Sequence, residues 1–456
     1  MIGYEGRVSF SRPLTAIRIA AALTFVVSTG AVAQTPPAHL QTADEAVAQD
    51  AAAYAGRYAV PLDDAVRRLR AEAATVAATD AIAAEFGDRL AGIAIEHIPA
   101  FRIVVLLTAG DPVPGRILPA GGMTVPVDFR VATSATRAQL LAALTQYQPA
   151  IRAALRRPPG IGIDQRTGEL VVLVAGIDAD RDGVATLQAR FAAMTGVPVR
   201  VRAVDRPDFD MVANMQETGT NMVAVEGGAR VVGTSPVDGR RYACTTGFSV
   251  TDGVRQGVVT AAHCPDTLSY IDPAGGPAVS LPMVGQWGWG HQDVQVNVTA
   301  GAASPYFYAD TAKRFVRPVT GQRPRAAARA GDTVCHRGER TGYSCAPIEL
   351  TDFAPAGDLC GGACLPTWIT AAGPTCKSGD SGAPVFAGTT ALGVLKGGSY
   401  RSDGSCAFWF YMSTDYLPDG WSLIRAQGIG LPVPASAGAG SDMPIAPPPS
   451  PPASPA

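Results

Sequence analysis

All eight cysteines of this 456-residue chain lie between Cys244 and Cys406, and none precedes them. Such a chain joins two kinds of domain, one that cross-links hold together and one that must fold on burial and hydrogen bonding alone. The N-terminus indicates why the cysteines can be cross-linked. Arg7, Arg12 and Arg18 precede an apolar stretch from Ile19 to Val32, and Ala31-Val32-Ala33 stands ahead of Gln34, the layout expected of a secretory signal over residues 1–33. Export, to the extracellular space or a periplasm, takes cysteines where disulfides persist. With the signal removed, no run of about 18 apolar residues remains to span a membrane. Charge excludes a further class. The 37 basic residues against 39 acidic ones leave a formal charge of −2, without the basic excess that nucleic acid demands. A hydrophobic content of 47% is too high for a disordered chain.

The cysteine-free part, residues 34–218, reads as an α+β domain. Thr42-Ala-Asp-Glu45 is a capping box opening a helix through Tyr54, and Pro61 suits the first turn of a second helix. Leu62, Val66 and Leu69 lie on one face of that second helix. Residues 103–108 form an apolar run expected to be a buried strand. Strands at 161–163 and 170–174 flank a loop ending in Gly168, and a helix over 183–193 with a strand at 198–203 completes a β-β-α-β unit. No cluster of His, Cys or paired carboxylates marks chemistry here. From 219 to 431 the texture changes to short Val, Thr and Phe strands between Gly, Asp and Pro turns. Val294, Val296 and Val298 alternate with polar residues, and the whole stretch predicts an all-β barrel or sandwich. Residues 432–456, mostly Pro, Ala, Ser and Gly, predict an unfolded tail.

Two segments carry chemistry. One is Val259-Thr-Ala-Ala-His263-Cys264, a strand ending in a histidine beside a cysteine; the other is Cys376-Lys-Ser-Gly379-Asp380-Ser381-Gly382-Ala-Pro384. A serine hydroxyl is a weak nucleophile at neutral pH, so it needs a histidine to take its proton and N–H donors aimed at the developing oxyanion. Glycines around Ser381 permit the tight turn in which successive N–H groups point one way.

Thr-Ala-Ala-His-Cys together with Gly-Asp-Ser-Gly resembles the chymotrypsin-type serine proteases. Ala243-Cys-Thr-Thr-Gly-Phe-Ser-Val250 and Val334-Cys-His-Arg-Gly-Glu-Arg-Thr-Gly-Tyr-Ser-Cys345 resemble the secreted bacterial branch, the α-lytic protease and streptogrisin type. The resemblance implies two six-stranded antiparallel β-barrels over 219–431, preceded by an α+β pro-region over 34–218 that acts as folding catalyst and inhibitor and is later removed. The cut is expected within about 212–226, before Gly227-Gly228. It implies a triad of His263, an aspartate and Ser381, acting on polypeptide substrates without cofactor or metal. Asp293, leading into an alternating strand, matches the family pattern, with Asp310 as rival. Gly379 and Ser381 would supply the oxyanion N–H pair, and Asp380 would shape the loop.

The resemblance also implies disulfides Cys244–Cys264, Cys335–Cys345 and Cys376–Cys406. Cys360 and Cys364 remain, in Cys-Gly-Gly-Ala-Cys, for a local disulfide; a metal there lacks further ligands. Three departures or absences bear on function. Ala383 replaces a usual glycine. Lys396, ahead of Gly397 and Gly398 on the expected substrate-binding strand, replaces a usual serine. It could pair with Asp293, compete with the histidine, meet an acidic substrate group or reach solvent. Pro374 and Thr375 occupy the stretch before Ser381 where an aspartate would bind basic side chains, so the resemblance implies small or apolar P1 residues. The reading is a secreted serine endopeptidase made as a zymogen. Two others stand beside it: an impaired homologue or binding protein that keeps its pro-domain, and a chain whose α+β segment is itself the functional unit.

Overall fold

The computed structural model describes residues 38–205, 209–210, 213–214, 225–373 and 375–426. The expected signal, the tail and most of the expected junction lie outside them. Among the described residues no helix is long and apolar enough to cross a membrane.

The capping box forms as the sequence indicates. Glu45 N–H donates to Thr42 Oγ1 at 3.2 Å and Thr42 N–H to Glu45 Oε2 at 2.7 Å. The helix runs over Ala43–Tyr58, four residues beyond the expected end, and stops at Ala59 in the left-handed region, φ 52°. Helices Leu62–Ala74 and Val76–Glu85 follow. They pack near a four-stranded sheet of Leu90–Glu96, Arg102–Leu107, Met123–Val131 and Arg116–Ala120, in that spatial order. The expected β-β-α-β unit is present as Gly160–Asp164, Glu169–Ala175, helix Val184–Thr195 and Val199–Val204. Its two central strands pair with Ile163 opposite Leu170, and Leu170 to Ala175 run parallel to Val199 to Val204. Leu140, Leu144, Leu187 and Phe191 bury against this sheet from helices Arg137–Ala153 and Val184–Thr195.

Over residues 225–426 the strands pair mainly antiparallel. An N-terminal lobe carries Arg230–Thr234, Arg241–Thr245, Gln256–Thr260 and Val294–Val298 among its strands. A C-terminal lobe is an eight-stranded sheet system around six strands: Thr333–Gly338, Gly342–Pro347, Ile369–Ala372, Pro384–Ala387, Thr390–Tyr400 and Cys406–Ser413. Trp368, Trp409, Phe353 and Phe386 are its largest fully buried apolar side chains. All four expected disulfides form, Cys360–Cys364 included.

The two halves share sheet and charge. Thr351–Ala354 of the C-terminal lobe adds to the edge of the α+β sheet, Thr351 opposite Ile163 and Ala354 opposite Ile161. Asp352 sits in the left-handed region at φ 49°, its carboxylate gripped by Arg137 at 2.9 and 3.0 Å. Arg317 is fully buried, donating to Gln41 Oε1 at 2.8 Å and Asp50 Oδ1 at 2.9 Å. A buried ion with its partners in place contributes little net stability, but removing one partner costs several kcal/mol.

One contact makes the joined halves acid-sensitive. His97 Nε2–H donates to Gly331 O at 2.9 Å, and Nδ1 accepts from Tyr54 O–H at 2.7 Å, so the ring is neutral. Burial pushes His97 down to about 4. A group depressed in this way stabilises the fold above its ordinary value of about 6.5 and loses that contribution as the pH falls toward 4. We expect the uncut chain to lose up to about 3 kcal/mol across this window, measured as the unfolding midpoint of Ser381→Ala against pH. His97→Gln should flatten that slope; an identical slope in both proteins would rule out this contribution.

Candidate active site

Strand pairing brings the histidine to its aspartate. Gln256–Thr260 runs antiparallel to Val294–Val298 with Thr260 opposite Gln295, so the end of one strand meets the start of the other. His263 follows the first strand by three residues and Asp293 precedes the second by one. Val259, Val294 and Val296 anchor this pair in the core, and the Cys244–Cys264 disulfide ties down the residue after the histidine. Asp293 Oδ1 accepts the His263 backbone N–H at 3.1 Å, and Oδ2 lies 2.8 Å from His263 Nδ1. That carboxylate orients the ring with Nδ1–H donating. Nε2 is thereby left to accept the Ser381 hydroxyl, whose Oγ is 2.8 Å away.

Asp293 is 2% exposed. Burial would raise its carboxyl, but His263 and Lys396 beside it hold it well below the usual carboxylate range. The rival Asp310 serves a local turn instead, accepting N–H bonds from Ala312, Arg314 and Phe315.

Ser381 comes from the C-terminal lobe, on a turn clamped from several sides. Asp380 is fully buried and accepts from the N–H groups of Lys377, Arg340 and Thr341 and from the Thr341 hydroxyl. These four bonds make it a loop-shaping residue. Thr245 N–H donates to Ser381 O at 2.8 Å and Thr245 Oγ1 to Gly379 O at 2.8 Å. Gly379 and Gly382 have φ of 104° and 87°, and a Cβ on Gly382 would strike Thr260 Oγ1 and Thr245 O. Only glycine fits there. Ala383 is buried and its carbonyl accepts from Leu395 N–H at 2.9 Å, so the missing glycine leaves the turn intact.

Lys396 is inside the protein, not at its surface: it is 1% exposed, with Nζ 3.3 Å from Asp293 Oδ2 and 5.4 Å from the Trp368 ring centre. Of the four positions open to it, the structure has the pairing with Asp293. Its carbonyl faces the nucleophile, 3.4 Å from Ser381 Oγ. Gly397 and Gly398 follow on the same strand, and a Cβ on Gly398 would come within 2.9 Å of Cys376 Sγ. Residues 209–210 pair antiparallel with this strand, 209 opposite Gly398 and 210 opposite Gly397. Residues 213–214 pair with Ala243 and Tyr242, beside a groove of about 490 Å³ next to His263. Sequence reasoning missed Thr245, Trp368 and Met412, which brace the turn, the lysine and the Asp293 N–H respectively. Only Thr245, next to Cys244, stood inside a motif.

No protein-family model matches the chain. Streptogrisin-C of Streptomyces griseus is 28% identical over 208 residues, 44% of this chain and 40% of that protein. Its homologues are streptogrisins, chymotrypsin-like serine proteases of bacteria. Streptogrisin-D of the same organism is 28% identical over 184 residues, 39% of this chain and 44% of the relative. The chain thus spans less than half the length of the curated relatives it matches. Among solved structures, Thermobifida fusca Protease A is 24% identical with a TM-score of 0.37, covering 45% of this chain and all of its own. Cellulomonas bogoriensis chymotrypsin is 24% identical with a TM-score of 0.34 over the same shares.

Proposed function

We propose that the chain is a secreted serine endopeptidase made as a zymogen, with residues 34–218 as pro-region and 219–431 as protease domain. The contact chain Asp293–His263–Ser381 carries this reading. Ser381 Oγ attacks the scissile carbonyl as His263 Nε2 takes its proton, and Asp293 steadies the imidazolium that forms. The tetrahedral oxyanion is held by the N–H groups of Gly379 and Ser381, a donor pair whose loss typically costs about 2.7–4 kcal/mol per donor. The imidazolium then protonates the leaving amine, and water, deprotonated by the same nitrogen, hydrolyses the acyl-enzyme. An intact contact chain counts against a disabled homologue.

The zymogen reading draws on the strand pairings of 209–210 and 213–214. Both pairings set the end of the pro-region against elements that carry the site, 209–210 against Gly398 and Gly397 and 213–214 against Ala243 and Tyr242. The cut would follow within about 212–226.

The test is covalent. A serine-directed phosphonate should label Ser381 of the processed protein and not of His263→Ala, with the adduct located by mass spectrometry. The same spectra should show a mature N-terminus within about 212–226. A folded, processed protein that takes no label would overturn the enzyme reading, and an N-terminus outside that range would overturn the expected junction.

A further inference from the structure

We propose that Lys396 is a positioning residue that tunes the general base. Its ammonium shares Asp293 Oδ2 with His263, lowers the proton affinity of the imidazole and carries hydrolysis into more acidic medium than a neutral side chain would allow. The proposal rests on the serine-protease reading above.

The argument is one of charge and distance. A buried carboxylate that faces only a histidine favours the imidazolium strongly. Here the same oxygen serves two cations, at 2.8 Å from Nδ1 and 3.3 Å from Nζ, so ammonium and imidazolium stand no more than about 6 Å apart. Little water intervenes. Lys396 and Asp293 are 1% and 2% exposed, the Trp368 ring lies against the ammonium, and Met412 Sδ is 3.3 Å from the Asp293 nitrogen. Two like charges at that separation in a partly desolvated site oppose each other by about one to two pH units.

Among the neighbouring titratable groups, half-buried His291 packs edge-on against the Tyr416 ring. Asp380, on the nucleophile turn, spends its carboxylate on Lys377, Arg340 and Thr341. Asp266 and Tyr242 line the groove beside His263, and Asp266 is exposed and therefore screened. The sign follows. A lower imidazole proton affinity keeps the base unprotonated further into acid, so the acid limb of kcat/KM moves down in pH.

The experiment compares the processed enzyme with Lys396→Met and Lys396→Arg on an uncharged peptide substrate across pH. Lys396→Met should raise the acid-limb midpoint by about one pH unit, whereas Lys396→Arg, which keeps the charge, should stay within about 0.3. An unmoved midpoint in Lys396→Met overturns the proposal. So does a change confined to KM for acidic substrates, which would make the lysine a substrate ligand. Phosphonate labelling of Ser381 separates the two levels: no label on the unsubstituted enzyme sinks the protease reading, whereas labelling with unmoved midpoints sinks only this one. Should Lys396→Met not fold, the imidazole titration of His263 in the unsubstituted enzyme, followed by NMR, decides. A midpoint at or below the ordinary value of about 6.5 supports the proposal, and a higher one overturns it.

Discussion

Replacing Ser381 by alanine should leave a chain that folds, keeps its four disulfides and hydrolyses peptides some 10⁴- to 10⁶-fold more slowly, a range on the order of that seen when a triad member is removed. Folding should survive because the turn is held by bonds that do not use the hydroxyl. Asp380 keeps its four donors, Thr245 keeps both of its bonds to the Gly379 and Ser381 carbonyls, and Gly382 keeps its N–H on Leu395 O. What is lost is the Ser381 oxygen that lies 2.8 Å from His263 Nε2. His263→Ala should fall as far, and the double variant little further, because the two residues act as one unit. Under the zymogen reading Ser381→Ala should also accumulate as a single uncut polypeptide, visible on a denaturing gel. Residual activity within tenfold of the unsubstituted protein would mean that another group is the nucleophile.

How much of this could be read from residues alone depends on how local each feature is. Thr42 and Glu45 sit three apart, so the capping box was legible and formed. The hairpin around Gly168 was legible for the same reason, with Asp164 opposite Glu169. Thr351–Ala354 was not: its partner strand lies almost 190 residues earlier, and nothing in Thr-Asp-Phe-Ala announces that it completes another domain's sheet. The site divides likewise. His263 and Ser381 stand in short motifs with a chemical reason for every neighbour. Asp293 and Asp310 were separated only by the alternation after Asp293, and it is the pairing of Thr260 with Gln295 that brings Asp293 to the histidine. Lys396 had four outcomes in sequence because its direction depends on packing. Trp368 and Met412, neither near it in sequence, pack around the pair in which Lys396 meets Asp293.

The second large effect concerns folding. Under the zymogen reading, residues 219–431 refolded alone in a glutathione buffer should recover activity about 10³-fold more slowly than with residues 34–218 added in trans. The C-terminal lobe is built from pairings distant in sequence, a topology that folds slowly because loop entropy is lost before contacts form. The α+β half is richer in local contacts, from the capping box to the Gly168 hairpin, and can form first. Its strand Gly160–Asp164 then offers a ready edge to Thr351–Ala354, and Arg137 holds Asp352 in a left-handed conformation that few residues adopt unaided. Two charge-assisted hydrogen bonds of about 1.5–3 kcal/mol each lower the barrier by about 4 kcal/mol, which is the expected factor of about 10³. Arg137→Ala in the added segment should therefore rescue more weakly than the unsubstituted segment, at equal helix content. Efficient recovery of residues 219–431 without any addition would remove the proposed folding role. It would also dissolve the proposed link between cysteine placement and fate, in which the half that would persist is stapled and the half that would template it is not.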